Sequence, residues 1–317
     1  MNAVPSRLNT LLVLLVFLLQ CGLLISASLV EGWLIVVPAG FFSLFFLTNY
    51  ALMHEASHGS LHIDPRWNRW LGALTGLTFP TSATMMRVTH TVHHRCNRTD
   101  HEMFDCYYPG DRRWLKRLQW YSILTGLFYL VIPLGGVVVG FLRPLLLTRP
   151  FRRARSAAVL FDDFTSSQMR QVQVECLLML MFYATLFASG LLRPWPTLLL
   201  FGLGGFHWST RQYVTHAWSR RDVIEGAHNL TPGAPLMDWI LLHGQWDQAH
   251  HRWPLASWIH LPHLGASGSV PISFWRQYAS LWCGPRLATE PSPLALSSLV
   301  CEREDRKERV ESVLAPV

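Results

Sequence analysis

Long uninterrupted apolar blocks constrain the fold of this chain more than any other feature. The first two, residues 8–30 and 33–53, are separated only by Glu31 and Gly32. Each lacks charged residues and is long enough to cross the roughly 30 Å hydrocarbon core of a bilayer. Only 15% of all residues are charged, whereas a soluble domain carries about 25%. The sequence therefore predicts an all-α integral membrane protein.

A cleaved secretory signal is an alternative interpretation of the first block, because Arg7 precedes it and Ala27 and Ser28 are small. The block is longer than the roughly 7–15 apolar residues of such a signal, which favours a membrane hairpin.

The six cysteines form no CxxC pair, so neither a disulfide framework nor a zinc finger is indicated. The net charge of +7 comes from basic residues beside apolar blocks, which is typical of cytoplasmic loops rather than of nucleic-acid binding.

Three further long blocks cover residues 119–142, 172–192 and 195–213. Arginines and lysines flank the first of these on both sides, at 112–117 and 143–155, so both of its ends are expected in the cytoplasm. Pro133, Gly135 and Gly136 suit a broken, re-entrant or interfacial element there. We therefore expect four crossings in two hairpins, at about 8–30, 33–53, 172–192 and 195–213. Residues 1–300 would form one domain, followed by a charged, solvated tail at 301–317.

This topology places every histidine-rich segment on the cytoplasmic side, as a cap above the membrane helices. With a cytoplasmic N-terminus and two closed hairpins, the segments after residue 53 and after residue 213 face the same compartment. If all five long blocks crossed, the early and late histidines would face opposite compartments. Four crossings therefore allow one shared site.

The histidines form clusters with metal-ligand spacing. His54 and His58 are four residues apart, which puts both imidazoles on one helix face. The remaining candidates repeat such i, i+3 and i, i+4 spacings, with a carboxylate at the start of the last cluster: His90, His93 and His94; Gln212 and His216; Asp247, His250 and His251. Adjacent histidines diverge by about 100° on a helix, so the two members of each pair could serve different metals.

Eight imidazoles and one carboxylate exceed the three or four ligands that one zinc ion needs, so two metals are expected. Nitrogen-rich open sites beside a lipid phase favour iron, and two irons could activate dioxygen to attack an unactivated methylene. Six further histidines are interpreted as interfacial or capping residues: His62, His207, His228, His243, His260 and His263.

The order HxxxH, HxxHH and a final cluster after two later crossings resembles the membrane fatty acid desaturase superfamily. The resemblance covers roughly residues 54–264. Two local stretches strengthen it: residues 93–102, HHRCNRTDHE, and residues 250–254, HHRWP, with Trp258 and Leu261-Pro262 downstream. The superfamily also contains hydroxylases, carotenoid ketolases and decarboxylases that form terminal alkenes. Asp247 departs from the pattern, because it replaces the first histidine of the third box.

The resemblance implies a di-iron enzyme that desaturates the acyl chain of a fatty acid or fatty acyl lipid with dioxygen. It also implies an external electron donor, ferredoxin or rubredoxin with an NAD(P)H reductase, and a bacterial inner membrane with a cytoplasmic active site. By the same resemblance His216 is the extra ligand and Gln212 approaches one metal through water. Four acids are candidates for supporting the ligands through hydrogen bonds: Glu55, Asp100, Glu102 and Asp105.

Two other classes of function remain as alternatives. Residues 54–58 spell a literal HExxH, in which Glu55 would be the general base of an intramembrane zinc protease, although that function leaves the later clusters unexplained. A metal transporter or sensor would need polar residues inside several crossings, whereas these crossings are nearly free of ionisable groups. Both alternatives explain less of the sequence than the di-iron site.

Overall fold

A computed structural model describes residues 3–149, 151, 164–266 and 268–296. The predicted tail at 301–317 lies outside the described residues. We number the α-helices of the described part in chain order: α1 (Ser6–Leu29), α2 (Val36–His58), α3 (Pro65–Thr78), α4 (Ala83–Cys96), α5 (Arg113–Leu124), α6 (Val131–Phe141), α7 (Arg143–Leu146), α8 (Ser166–Ala188), α9 (Pro194–Ser209), α10 (Pro235–Ile240), α11 (Asp247–Arg252), α12 (Leu261–Ala266) and α13 (Phe274–Leu281).

The first apolar hairpin is present as α1 and α2, which a short 3-10 turn at Gly32–Ile35 joins. Helix α2 extends beyond residue 53 and ends at Gly59, whose φ of 77° is a left-handed conformation that favours glycine. The first histidine pair therefore lies in the last turn of an apolar helix. This placement puts the candidate ligands at the end of a helix that is long and apolar enough to cross a membrane.

Among the described residues, three helical segments are long and apolar enough to cross a membrane: Ser6–Leu29, Gly32–His58 and Ser166–Ala188. They correspond to the first three predicted crossings. The fourth predicted crossing corresponds to α9, which has 16 residues and, at about 1.5 Å per residue, is shorter than a typical hydrocarbon core. Its last predicted part, residues 210–213, forms turns rather than helix. The four-crossing topology stays a prediction.

The block at residues 119–142 is broken, because the segments Arg113–Leu124 and Leu127–Phe141 meet at 85°. The break falls at Gly126, whose φ is 87°, and not at Pro133 or Gly135, which lie inside α6. Gly135 instead permits close packing, since a Cβ there would lie 2.3 Å from the Cε of Met85. The sequence predicted the break but not the residue that makes it.

An aromatic core packs between α2, α9 and the α5–α6 bend, beneath the histidines. Phe46 is fully buried, and its ring centroid lies 4.5 Å from that of Phe79 and 5.5 Å from that of Tyr129. Gly205 on α9 makes room for this contact, because a Cβ there would lie 2.2 Å from Cδ1 of Tyr129. This tight packing fixes the position of α9 against α2 and therefore the position of the segment that follows α9.

Two pairs of two-residue parallel strands join the C-terminal segment to earlier parts of the chain. Strand β1 (Cys106–Tyr107) pairs with β4 (Arg286–Leu287), and β2 (Leu230–Thr231) pairs with β3 (Ile272–Ser273). Farther along, the amide of Leu296 donates to the carbonyl of Arg95 on α4. The end of the described chain is thus fastened to the helix that carries the second histidine cluster.

Candidate metal centre

Four elements converge at one end of the long apolar helices to form one polar centre. They are the last turn of α2, the C-terminal half of α4, the turns after α9, and the short helix α11. Helix α4 begins at Ser82, whose hydroxyl accepts from the amide of Met85 in a standard N-cap. The Glu175 carboxylate on α8 accepts from the hydroxyl of Ser82 at 2.5 Å and from the amide of Thr84 at 3.0 Å. A membrane helix therefore fixes the start of α4.

The first group of candidate ligands consists of His54, His58, His90 and His250, whose ligand atoms all lie within 4.8 Å of one another. The Nε2 atoms of His58 and His90 are 2.8 Å apart. His94 borders this group, with its Nε2 3.1 Å from that of His90 and 3.0 Å from that of His250. Five imidazoles from three elements thus surround one volume, and four of them approach one another through Nε2.

The second group consists of His93, His216 and His251, whose ligand atoms also lie within 4.8 Å of one another. Asp247 borders it, with Oδ2 3.1 Å from Nε2 of His216 and Oδ1 4.0 Å from Nε2 of His251. The rings of His94 and His251 are 4.4 Å apart, so the two groups adjoin. All nine residues predicted as ligands from the sequence therefore lie in one centre.

Adjacent histidines divide between the groups, as their helical spacing predicts. On α11, His250 belongs to the first group and His251 to the second. On α4, His93 belongs to the second group while His94 borders the first. Each of these two helices therefore contributes to both groups, which fits a pair of neighbouring metals better than a single one.

The chemical state of the imidazoles suits metal binding. Burial lowers the pKa of His90, His94, His250 and His251 well below the ordinary histidine value, with their histidine neighbours adding to the effect. The neutral form is the one that offers a lone pair to a metal ion. A neutral imidazole carries only one N–H, so Nε2 atoms that crowd this closely cannot all be satisfied by one another. The donor set therefore fits cations.

Two candidate ligands, His93 and His216, are oriented by contacts at Nδ1. Nδ1 of His93 lies 2.5 Å from the Glu102 carboxylate; burial alone lowers the pKa of His93, but Glu102 outweighs it and the net shift is upward. Nδ1 of His216 donates to the carbonyl of Gly226 at 3.1 Å, which leaves its Nε2 free to face Asp247. Such contacts fix the tautomer and direction of ligand histidines.

The other acids that were predicted to support the ligands bond to residues outside the two histidine groups. Glu55 accepts from the hydroxyl of Ser60 and the amide of Trp258, an arrangement that does not favour a role as protease base. Asp105 pairs with buried Arg98, and Asp100 pairs with Arg221.

Gln212 donates its amide to the carbonyl of Trp208, so its predicted approach to a metal stays a prediction.

Three of the histidines interpreted as non-ligands have polar partners outside the two groups. His207 lies 3.4 Å from the hydroxyl of Ser43. His228 approaches the carbonyl of Ala217 at 3.3 Å. His243 pairs with Asp238 at 2.7 Å. Their partners agree with capping and packing roles.

Sequence reasoning missed two residues that shape the centre. Glu175 is the one acid in the apolar block 172–192, and an ionisable residue in such a block signals a function, so this residue could have been found. Gly226 gave no such signal. A Cβ there would lie 2.1 Å from the carbonyl of Asp222 and 2.4 Å from Cγ of Arg98, so only glycine fits behind His216.

Comparisons with known proteins agree with this arrangement. The sequence model of the fatty acid desaturase family matches residues 31–267 of the 317-residue chain. No curated protein and no solved structure matches the chain. The matched range begins just before α2 and ends just after α12, so it includes both groups of candidate ligands. The chain belongs to the fatty acid desaturase family.

Proposed function

We propose that this protein is a membrane-bound, dioxygen-dependent di-iron oxidoreductase that desaturates the acyl chain of a fatty acid or fatty acyl lipid. The observation that carries the proposal is the pair of adjoining histidine groups at the ends of apolar helices, in a chain of the fatty acid desaturase family. When bound, the iron pair supplies the oxidising chemistry toward dioxygen and an unactivated methylene that no side chain can provide.

The residues of the chain hold and orient the two metals. His54, His58, His90 and His250, with His94 beside them, would hold one iron. His93, His216 and His251 would hold the other, with Asp247 as the anionic ligand. Glu102 would keep Nε2 of His93 directed at its metal through the bond to Nδ1. Because the centre lies at the end of α2, a lipid chain would reach it from the membrane side.

The outcome of the reaction depends on positioning at the few-tenths-of-an-ångström scale, because loss of a second hydrogen gives an alkene whereas oxygen transfer gives an alcohol. Hydroxylation, ketone formation and decarboxylation to a terminal alkene are therefore the alternative outcomes on the same centre. The electrons would come from a ferredoxin or rubredoxin with its NAD(P)H reductase. We place the centre on the cytoplasmic side of a bacterial inner membrane.

Product analysis tests the proposal. The purified, iron-loaded protein would be supplied with fatty acids, a ferredoxin or rubredoxin, its reductase and NADPH under air, and the extract and headspace examined by mass spectrometry. We expect an internal alkene two hydrogens lighter than the substrate. An alcohol, a ketone or a shortened terminal alkene as the product would instead indicate hydroxylation, ketone formation or decarboxylation, respectively. If the protein gave no lipid product and instead hydrolysed an added peptide substrate, the result would contradict the oxidoreductase function and favour the protease function.

A further inference from the structure

Arg211 is a half-buried cation with no acidic partner among the residues that the structure describes. Other arginines of the cap are paired: Arg98 with Asp105, Arg221 with Asp100, and Arg252 with Glu225. Taking a guanidinium partly out of water without a counter-charge is costly. An unpaired arginine in such a position is therefore a candidate for binding an anion from outside the chain.

The surroundings of Arg211 hold the guanidinium in a defined orientation. Its Cζ lies 4.7 Å from the ring centroid of Phe274, a side chain that is itself 4% exposed. Beside it, the hydroxyls of Thr210 and Tyr278 lie 2.7 Å apart. Stacking on an aromatic face leaves the edge of the guanidinium, with its N–H donors, available to a planar or tetrahedral anion. A guanidinium keeps its charge at neutral pH.

The position of Arg211 links this cation to the metal centre. It lies two residues beyond the end of α9, at the membrane border, and five residues before His216. The intervening chain is coiled into helical turns, with the amide of Val214 donating to the carbonyl of Arg211. At about 1.5–2 Å per residue, the two backbone positions are separated by roughly 8–10 Å along the chain. A long molecule could bind Arg211 with one end and extend to the centre.

We propose that Arg211 binds the anionic head group, a carboxylate or phosphate, of the single-chain acyl substrate. The inference rests on the proposed function, since it assigns a substrate class to the same centre. It selects a negatively charged amphiphile over a neutral one, such as an alcohol, an aldehyde or a methyl ester. The Arg211 guanidinium supplies charge-assisted hydrogen bonds. Of the neighbouring hydroxyls of Thr210 and Tyr278, which bond to each other, one can donate a further bond to the anion.

Direct binding to the iron-loaded protein in neutral detergent tests this site without requiring turnover. The ligands are dodecanoate, dodecyl phosphate and dodecanol, compared for the unaltered chain, Arg211→Gln, Arg211→Lys and the control Arg276→Gln. Arg276 is exposed on α13, two residues after Phe274. We expect Arg211→Gln to weaken binding of the two anions by about tenfold to a hundredfold and to leave dodecanol unchanged. Arg211→Lys should keep part of the preference, and Arg276→Gln all of it.

Three results would overturn the head-group site. One is equal affinity of the unaltered chain for the anions and dodecanol, and another is equal loss of all three ligands in Arg211→Gln. The third is that Arg211→Gln changes ligand binding only when the protein is in phosphatidylglycerol nanodiscs and not in detergent. That result would make Arg211 a contact for bilayer phospholipid. If the preference for anions depends on Arg211 but the enzyme oxidises no acyl chain, the proposed function fails and the site stands. If acyl chains are oxidised and Arg211→Gln binds them normally, only the site fails.

Discussion

Asp247 is the residue at which this chain departs from the histidine pattern of its family. Its carboxylate lies 3.1 Å from Nε2 of His216 and borders the second group of candidate ligands. A carboxylate there would lower the net charge of a bound metal and shift its redox potential relative to an all-imidazole site. The aspartate is therefore the first residue to test at this scale.

We expect Asp247→Ala to reduce the iron content from about two to about one per chain, because the second group loses its anionic ligand while the first keeps its imidazoles. Asp247→His would restore the family pattern and should retain both irons. Metal analysis of the purified variants, with circular dichroism as a folding control, measures this. If Asp247→Ala retains both irons with unchanged affinity, Asp247 only accepts a hydrogen bond.

Glu102 offers a second test at the residue scale, since it holds Nδ1 of His93 at 2.5 Å. Residues that orient ligands in this way typically change metal affinity by about 10–100-fold when altered. We expect Glu102→Gln to weaken iron binding by roughly that factor, measured by competition with a chelator. Glu290→Gln, which alters a cap acid bonded to the Arg221 amide, is the matched control and should leave the affinity unchanged.

The histidine clusters were predictable from the sequence because helical spacing is local. The i, i+3 and i, i+4 intervals alone place each cluster on one face, and the division of His93 from His94 and of His250 from His251 follows from the same geometry. The carbonyl of Gly226 behind His216 was not predictable. It depends on how the chain around Arg98 packs against residues 216–226, and a single glycine carries no signal of that.

At the scale of elements, the metal centre depends on how closely α9 packs against the α5–α6 bend. Gly205 allows this contact, because a Cβ there would overlap the ring of Tyr129. The sequence predicted an apolar block at this position and a break in the preceding block. It did not predict that glycines 126 and 205 set the bend and the contact, since their roles depend on tertiary neighbours.

Gly205→Ala is therefore expected to destabilise the protein by about 1–3 kcal/mol through overpacking. Gly202→Ala on the same helix is the matched control, because a Cβ at Gly202 meets nothing within 4 Å. That change should leave the thermal midpoint unchanged or slightly raised, as alanine favours helix. Thermal unfolding in detergent, followed by circular dichroism, measures both. Equal midpoints for the two variants would argue against the tight contact.

At the scale of the whole molecule, the account requires both histidine-bearing halves of the chain to face the cytoplasm. Charge placement predicted this arrangement from the sequence, and three of the four expected crossings have helices of sufficient length. The predicted fourth crossing runs to residue 213, but residues 210–213 are mostly polar, include Arg211 and fold into turns that lead to His216, so α9 is shorter than expected. The topology of this hairpin therefore calls for its own measurement.

Cysteine labelling tests the topology. Exposed Cys283 should react with a membrane-impermeant maleimide only from the cytoplasmic side, in a chain carrying Cys301→Ser. In a chain with Cys283→Ser and Cys301→Ser, an added Ser189→Cys at the turn after α8 should react only from the opposite side. Labelling of both positions from one side would show that α8 does not cross as predicted.

We expect the two adjoining histidine groups to bind two irons, which metal analysis together with Mössbauer spectroscopy of the active protein measures. We expect about two irons per chain, in two coordination environments that are magnetically coupled, since the groups share helices α4 and α11 and lie side by side. Active protein that contains about one zinc and no iron per chain would contradict the account.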